Sequence, residues 1–197
     1  IRFGSRLRAL QFAAGRVTGL DFGGHRVALE AGDGVVLAVP PARAVELLPG
    51  LVAPEQTRAI VNAHYRLDHA HSLPGGSPLL GVIGGLAQWI FLRGDVVSVT
   101  VSAADALLDE PADKLAALLW ADVAKALDLG SLALPPHRIV KERRATFAQT
   151  PGQVARRPGP RTSYGNLVLA GDWTDTGLPA TIEGAVQSGV TAAGIMR

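Results

Sequence analysis

Hydrophobic and polar positions alternate in short runs over residues 1–50, and this period of two predicts β-strands. The turn residues Gly23-Gly24 and Gly32-Asp33-Gly34 separate the runs, and Pro40-Pro41 closes the last one. The runs cover residues 15–20, 25–30 and 35–39. Short runs joined by Gly-rich turns favour a three-stranded antiparallel meander.

The middle of the chain continues the alternation and contains one helix. Strands are predicted over residues 60–68, over two segments of 79–92 that meet near Gly84-Gly85, over 96–101 and over 138–147. Before the last of these strands, Pro111 begins a helix that Gly130 ends, and its apolar face consists of Leu115, Leu118, Leu119 and Leu127. The pattern predicts an antiparallel sheet with one face covered by helix and the other face towards a cavity.

The last thirty residues combine an apolar strand, an acidic residue and the start of a helix. The strand Leu167 to Ala170 is followed by Gly171-Asp172-Trp173-Thr174, and a helix is predicted from Ala180. Ligands of α/β proteins bind beyond the carboxyl end of such a strand, where the N–H groups of the next helix favour anionic or electron-rich groups. In this interpretation Gly171 allows close approach of the backbone, and Asp172 accepts hydrogen bonds from ribose or ribityl hydroxyls.

The helix that follows carries small residues at helical spacing, namely Gly184, Ser188 and Gly189. They predict tight packing of the helix against a cofactor or the sheet, and Pro179 fixes φ just ahead of it. The same spacing also fits an ordinary buried strand, a loop and an amphipathic helix with a Thr or Asp cap. Spacing alone leaves both interpretations open.

The amino-acid sequence of this region resembles that of a known family. The segment LVLAGDWTDTGLPATIEGAVQSGVTAA is similar to the C-terminal FAD-binding motif of the flavin amine oxidase and phytoene desaturase superfamily. Together with NAHYRLD and KERRATFAQTPGQVARRPGPRT upstream, it looks most like the squalene-associated FAD-dependent desaturases, also called hydroxysqualene dehydroxylases. The resemblance runs over nearly the whole chain, and the C-terminal motif is its specific part.

The resemblance implies FAD as cofactor and a set of residues that contact it. In the similar flavoproteins the meander belongs to the FAD-binding domain and its first strand passes the adenine, which assigns Val17 to that contact. The remaining positions come from the C-terminal motif: Gly171, Asp172, Trp173, Pro179, Ala180, Thr181, Ile182 and Ala185. Arg156, Arg157 and Arg161, in the Pro- and Gly-rich linker over 150–163, either contact cofactor phosphates or are solvated.

The expected fold class is α+β, with α/β character in the FAD part. Residues 1–56 are expected to form part of an FAD-binding domain with its meander, 57–148 a substrate-binding domain, and 149–197 the linker and the FAD-binding strand and helix. Members of the superfamily begin with a G-x-G-x-x-G unit, and no such motif occurs here. We therefore expect a C-terminal fragment without that unit, inactive by itself, with exposed apolar surface that favours self-association.

Candidates for the chemistry lie on the strand over 60–68. Amine oxidases of the superfamily commonly place a Lys on the strand near the flavin, whereas this strand has none. Asn62 and His64 share one face of it and are the candidate catalytic residues, with His64 as the donor of a proton to a departing hydroxyl. A buried, satisfied sheet histidine is the alternative interpretation. His64, His69 and His71 do not converge on a strand, so no metal site is expected.

The resemblance and the apolar sheet together predict an FAD-dependent oxidoreductase that acts on a long isoprenoid, converting hydroxysqualene to squalene in hopanoid synthesis. A carotenoid (phytoene) desaturase or another enzyme of the superfamily is the first alternative. A non-enzymatic lipid-binding or interaction domain is the second.

Composition narrows the function classes further. The formal charge is +2, and no Lys/Arg run with interleaved aromatic residues occurs, which argues against nucleic-acid binding. The chain has no Cys, which excludes disulfides and thiolate chemistry and is compatible with the cytoplasm. The apolar stretch over 79–92 is too short for a membrane span, which takes about 20 residues. A peripheral contact with the inner membrane remains open.

Overall fold

The computed structural model describes residues 1–130 and 133–197, and the chain divides into two compact units. The terminal unit combines Ile1–Gln56 with Phe147–Arg197, so that the two ends of the chain fold together. The middle unit is Thr57–Thr146. The architecture is mixed α+β with several sheets.

The meander of the terminal unit has different strands from those predicted. It consists of β1 (Ala9–Ala13), β2 (Arg16–Asp21) and β3 (Arg26–Ala28), paired antiparallel in that order. Ala14 and Gly15 join β1 to β2 with positive φ at both positions, as in a tight hairpin turn. Leu10 is the one fully buried side chain of β1, so its alternation is weak in the sequence.

The predicted third strand of the meander is the main error of the sequence analysis. Residues Val35–Leu37 form β4, which pairs parallel with β10 (Leu167–Leu169), with Val36 opposite Val168. All three residues of β10 are buried, and a parallel strand of this kind needs a partner from far along the chain. As a result Val17 lies on the central strand of the meander, not on its first strand.

Three helices complete the terminal unit: α1 (Pro41–Leu47), α3 (Pro151–Val154) and α4 (Ile182–Ile195). The linker over 150–163 therefore contains one short helix. The predicted start of the last helix at Ala180 is two residues early, because the hydroxyl of Thr181 caps the helix and accepts a hydrogen bond from the N–H of Gly184 at 3.2 Å.

The outer face of α4 carries an exposed apolar row. Ile182, Val186 and Val190 recur every four residues, which places them on one side of the helix, and each is more than half exposed. Exposed apolar surface was expected from the sequence. Whether it causes self-association stays a prediction.

A buried side chain connects the meander to the β4–β10 pair. The amide of Asn166 accepts a hydrogen bond from the N–H of Val17 at 2.8 Å and donates to the carbonyl of Val17 at 2.9 Å and that of Asp33 at 3.2 Å. Asn166 is 4% exposed. Around it, the core is apolar and includes Leu37, Leu167, Leu169 and Trp173.

The middle unit is a five-stranded sheet in the order β6-β7-β8-β5-β9. Its strands are β5 (Thr57–Arg66), β6 (Leu79–Gly81), β7 (Trp89–Arg93), β8 (Val96–Ser102) and β9 (His137–Phe147). The predicted strands are all present, and the segment over 79–92 forms the antiparallel pair β6–β7 as expected. Residues 69 and 71 lie beyond the end of β5, so His69 and His71 are loop residues.

Helix α2 (Ala112–Ala126) buries its apolar stripe in the core of the middle unit. The stripe follows Leu115, Leu119 and Val123, each of which is 0% exposed, and Leu118 lies outside it at 47% exposure. The prediction that Leu118 lies on this face is wrong, because a stripe that advances by four residues leaves position 118 facing solvent. The phenol of Tyr65 on β5 donates to the carbonyl of Ala116 at 2.8 Å, and burial raises its pKa.

No described helix is long and apolar enough to cross a membrane.

The Asn166 contacts predict a large effect on stability. Asn166→Ala leaves the buried N–H and C=O of Val17 without partners, so the free energy of unfolding should fall by about 3 kcal/mol. Urea unfolding followed by circular dichroism measures it. Asn62→Ala is the matched control, because Asn62 makes one half-buried hydrogen bond and should cost about 1 kcal/mol. Equal losses for the two variants would contradict the role of Asn166.

Candidate functional site

The backbone at the end of β10 turns sharply at Gly171. Its φ is +139°, a conformation that favours glycine, and a Cβ there would lie 2.5 Å from Nε1 of Trp173. The indole of Trp173 is 2% exposed, and its Nε1 donates to the carbonyl of Val39 at 2.9 Å. Gly171 and Trp173 therefore hold the loop against the end of β4.

Helix α4 contacts this turn closely. The N–H of Gly171 donates to Oγ of Ser188 at 2.7 Å, and that hydroxyl donates to the carbonyl of Ala185 at 2.7 Å. A Cβ on Gly184 would lie 2.7 Å from the carbonyl of Pro179, so glycine permits the close approach of loop and helix. The predicted tight packing is correct for Gly184 and Ser188. Gly189 has open space on its Cβ side, so its packing against a cofactor stays a prediction.

Asp172 lies half-buried in the loop directly after the turn. Burial raises the pKa of its carboxyl group, while its own N–H, the guanidinium of Arg157 and the N–H of Trp173 act in the opposite direction. A carboxylate held at the end of a strand, next to backbone N–H groups and partly open to solvent, is suited to accept hydrogen bonds from hydroxyl groups.

The amino end of α4 is open to solvent. Ala180 is half-buried, Pro179 and Thr181 are exposed, and Ile182 is 85% exposed. The first N–H groups of a helix have no partners inside the helix and carry the positive end of its dipole. Asp172 and this helix start thus form the two ends of one accessible loop within the terminal unit.

The three linker arginines have separate environments. Arg156 donates from Nε to the carbonyl of Ala53 at 3.1 Å and pairs with Glu55 at 3.1 Å. Arg157 donates to the carbonyls of Leu178 at 2.8 Å and of Asp172 at 3.2 Å. Arg161 is exposed. Arg157 therefore contacts the loop and was not recognised as doing so from the sequence.

The predicted Val17 contact has little accessible surface. Val17 is 1% exposed, and its N–H and C=O are bonded to the side chain of Asn166. Trp173 likewise contributes to the core. Contacts of either residue with a cofactor stay predictions.

The second group of candidate residues lies in the middle unit, on the sheet face away from α2. Asn62 and His64 are half-buried on this face, as predicted from their spacing. Oδ1 of Asn62 accepts from Oγ1 of Thr100 at 2.7 Å, and Nδ1 of His64 lies 2.9 Å from Oγ of Ser98. Each polar residue thus has a hydroxyl partner directly across the strand pair.

Next to these two polar pairs, the part of this face on β7 and β6 carries apolar and aromatic residues. Trp89 lies opposite Thr100 and is 45% exposed, and Phe91 lies opposite Ser98 and is 36% exposed. Leu79 continues the row next to Phe91 and is 42% exposed. The sheet therefore presents two polar pairs beside a partly exposed apolar surface.

Sequence reasoning missed the partners of these candidates. Ser98 and Thr100 alternate with buried valines along β8, which is a signal in the sequence for the face opposite the core. Their pairing with His64 and Asn62 depends on the register of β5 with β8. Asn166 is one polar residue before an apolar strand and carried no signal of its own. The contacts of Arg157 require the folded loop.

Solved structures of two oxidases share this fold over nearly the whole chain. A protein from Exiguobacterium sp. 255-15 assigned as a protoporphyrinogen oxidase aligns with a TM-score of 0.68 at 20% sequence identity, covering 96% of this chain and 46% of that chain. Putrescine oxidase bound to putrescine aligns with a TM-score of 0.67 at 19% identity, covering 96% and 48%. The chain therefore shares its fold with part of each of these two proteins.

Residues 1–196 match the family described as flavin containing amine oxidoreductase, and the chain belongs to this family. Within it, the chain is 54% identical to hydroxysqualene dehydroxylase of Rhodopseudomonas palustris over 100% of its own length. It is 50% identical to that of Sinorhizobium fredii over 98% and 39% identical to that of Zymomonas mobilis over 98%. The chain spans 45–46% of the length of these relatives.

The environment of Asp172 predicts a pH-dependent stability difference. A raised pKa in the folded chain means that ionised Asp172 disfavours folding above that pKa, and the effect disappears below about 3.8, the value expected in the unfolded chain. Asp172→Asn should therefore raise the free energy of unfolding at neutral pH, and the gain should vanish as the pH falls to about 3.5. Urea unfolding between these pH values measures it.

The matched control for this experiment is Asp175→Asn, because Asp175 belongs to the same loop and is exposed. Its curve of stability against pH should follow that of the unsubstituted chain. A loss of stability in Asp172→Asn at neutral pH would show that the carboxylate supports the fold, and the interpretation of Asp172 as a ligand-contacting group would lose its support.

Proposed function

We propose that the chain forms part of an FAD-dependent oxidoreductase that converts hydroxysqualene to squalene. The observation that carries the proposal is the identity of 54% to a hydroxysqualene dehydroxylase over the whole chain. Because the chain spans 46% of that relative, activity is proposed for a protein of the full length and not for these residues alone.

The terminal unit supports FAD as the cofactor. The loop over 171–182 offers a half-buried carboxylate at Asp172 and an exposed helix start at Ile182, which suit the hydroxyl groups and the electron-rich or anionic parts of a flavin nucleotide. In this proposal Asp172 binds ribityl hydroxyls, and Pro179, Ala180, Thr181, Ile182 and Ala185 border the ring system. When bound, FAD supplies hydride transfer.

The middle unit supports an apolar substrate. The row formed by Trp89, Phe91 and Leu79 offers a partly exposed apolar surface for a long isoprenoid, and burial of such a chain stabilises the complex by about 25 cal/mol per Å². Asn62 and His64 supply polar groups beside that row, which suits a substrate with one hydroxyl on a hydrocarbon chain.

His64 has a chemical role in this proposal. Loss of the substrate hydroxyl breaks a C–O bond. The oxygen leaves as water when it receives a proton, and the carbon would receive a hydride, which reduced FAD would supply when bound. The imidazole of His64 is held by Ser98 through Nδ1, which leaves Nε2 to donate that proton. Asn62, held by Thr100, would bind the hydroxyl and orient it.

The cellular setting is part of the same proposal. An isoprenoid substrate favours a cytoplasmic protein with peripheral contact at the inner membrane, and self-association of this chain through exposed apolar surface is a further proposal.

A direct test uses a version of the protein that spans the full length of the relatives. The purified protein should be yellow from bound FAD and, with chemically reduced flavin, should convert hydroxysqualene to squalene. The chain of 197 residues should bind FAD poorly, because it contains no G-x-G-x-x-G motif that would hold the pyrophosphate. Product analysis by gas chromatography and flavin absorbance measure both results.

Three other outcomes would contradict parts of this proposal. Desaturation of phytoene or oxidation of an amine, with hydroxysqualene unchanged, would overturn the substrate and keep the flavoprotein class. Lipid binding without flavin would favour the non-enzymatic alternative. Stoichiometric, tight FAD binding by the 197 residues alone would contradict the expected division of the cofactor site.

The proton-donor role predicts the effect of His64→Gln. Glutamine keeps a hydrogen-bonding group near Ser98 but is not an acid, so kcat should fall about a hundredfold. His137→Gln is the matched control, because His137 begins β9 of the same sheet and interacts with Asp113 of α2, and its kcat should stay within about twofold. Steady-state kinetics with hydroxysqualene measures both, and an unchanged kcat in His64→Gln would contradict the role.

A further inference from the structure

The guanidinium of Arg157 contacts four residues of the loop that joins β10 to α4. Nη1 donates to the carbonyl of Leu178 at 2.8 Å. Nη2 donates to the carbonyl of Asp172 at 3.2 Å and to Oγ1 of Thr176 at 3.2 Å, and it also contacts the carbonyl of Thr174. One side chain thus connects the first and last parts of the loop over 172–178.

The side chain of Arg157 has further contacts outside the loop. Its guanidinium carbon lies 5.6 Å from the ring centre of Phe147, whose side chain is 3% exposed. Nε of Arg157 is buried and has no hydrogen-bond partner among the described residues, so this donor faces protein and is not available to a ligand. Both Nη groups already donate to the loop, which argues against the phosphate contact considered for Arg157 from the sequence.

The start of the loop is also held by the indole of Trp173, which donates to the carbonyl of Val39, and by the hydroxyl of Thr174, which donates to the carbonyl of Gly171. The remaining backbone of the loop has few other hydrogen bonds. The N–H of Thr174 donates to Gly171, that of Asp175 to Pro158, and that of Leu178 to the hydroxyl of Thr176. Gly177 adopts a φ of +73°. Because glycine has no Cβ, it adds conformational freedom to the unbound loop. A planar cation that bonds several carbonyls at once restricts such a loop more than single hydrogen bonds do.

We propose that Arg157 is a positioning residue that sets the separation between Asp172 and the start of α4, and thereby aligns both with one flavin nucleotide. This inference rests on the proposed function, in which those two groups bind FAD. Arg157 does not touch the cofactor in this proposal. It acts through the carbonyls of Asp172 and Leu178, which lie at the two ends of the loop.

The test compares Arg157→Gln and Arg157→Lys with Arg43→Gln in the version that spans the full length of the relatives. Lysine keeps the positive charge near Asp172 but lacks the planar fork. Arg43 is the matched control, because its guanidinium donates to the carbonyls of Leu7 and Arg8 in another part of the terminal unit. The readouts are the dissociation constant of FAD, the visible circular dichroism of bound flavin and amide hydrogen exchange over 171–181.

Both Arg157 variants should weaken FAD binding about tenfold, alter the flavin circular dichroism and speed exchange in the loop. Arg43→Gln should leave all three readouts unchanged. Full FAD affinity in Arg157→Lys would show that charge and not loop shape matters, and it would overturn the proposal. If Arg157→Gln does not fold, Arg157→Lys gives the decisive comparison.

Failure of this inference is distinguishable from failure of the proposed function. Normal FAD binding by the unsubstituted protein and by both Arg157 variants overturns the inference and leaves the function standing. Absence of FAD binding in the unsubstituted protein overturns the proposed function and the inference with it.

Discussion

The terminal unit depends on the parallel pairing of β4 with β10. This pair brings residues 35–37 next to residues 167–169, and Asn166 completes it by bonding the backbone of Val17 on the meander. A buried side-chain amide that satisfies both backbone groups of another residue allows one alignment of strand and meander, because any shift leaves buried polar groups without partners. The two ends of the chain are joined by this arrangement.

The candidate cofactor loop follows from that pairing. The carboxyl ends of parallel strands lie at the same edge of a sheet, so Val39 after β4 and Gly171 after β10 are close enough for Trp173 to bond the carbonyl of Val39. Gly171 is required there by its backbone conformation and by contact with the indole. Ser188 then attaches the turn to α4. These contacts fix the turn on both sides, while Asp172 stays half-buried and the start of α4 stays exposed to solvent.

In the middle unit, the alternation of side chains along each strand gives the sheet one buried apolar face and one face with polar groups. On β5, Val61, Ala63 and Tyr65 are buried against α2, while Asn62 and His64 lie on the other face. The register with β8 adds a hydroxyl partner for each of these two polar residues. The two polar pairs therefore lie beside the partly exposed side chains of Trp89 and Phe91, and the sheet alone forms this combination of polar and apolar groups.

Local sequence determined the strands of the middle unit, the helix after Pro111, the shared face of Asn62 and His64, and the strand, turn and helix around Asp172. These features depend on periods of two or 3.6 residues and on glycine and proline positions, which are local properties of a chain. The tertiary structure alone decided that Val35–Leu37 leaves the meander for β10, that Leu118 is exposed, and that Asn166 and Arg157 bond distant carbonyls. Those outcomes depend on contacts between residues far apart in sequence, and no local pattern specifies which distant partner satisfies a buried donor or an apolar strand.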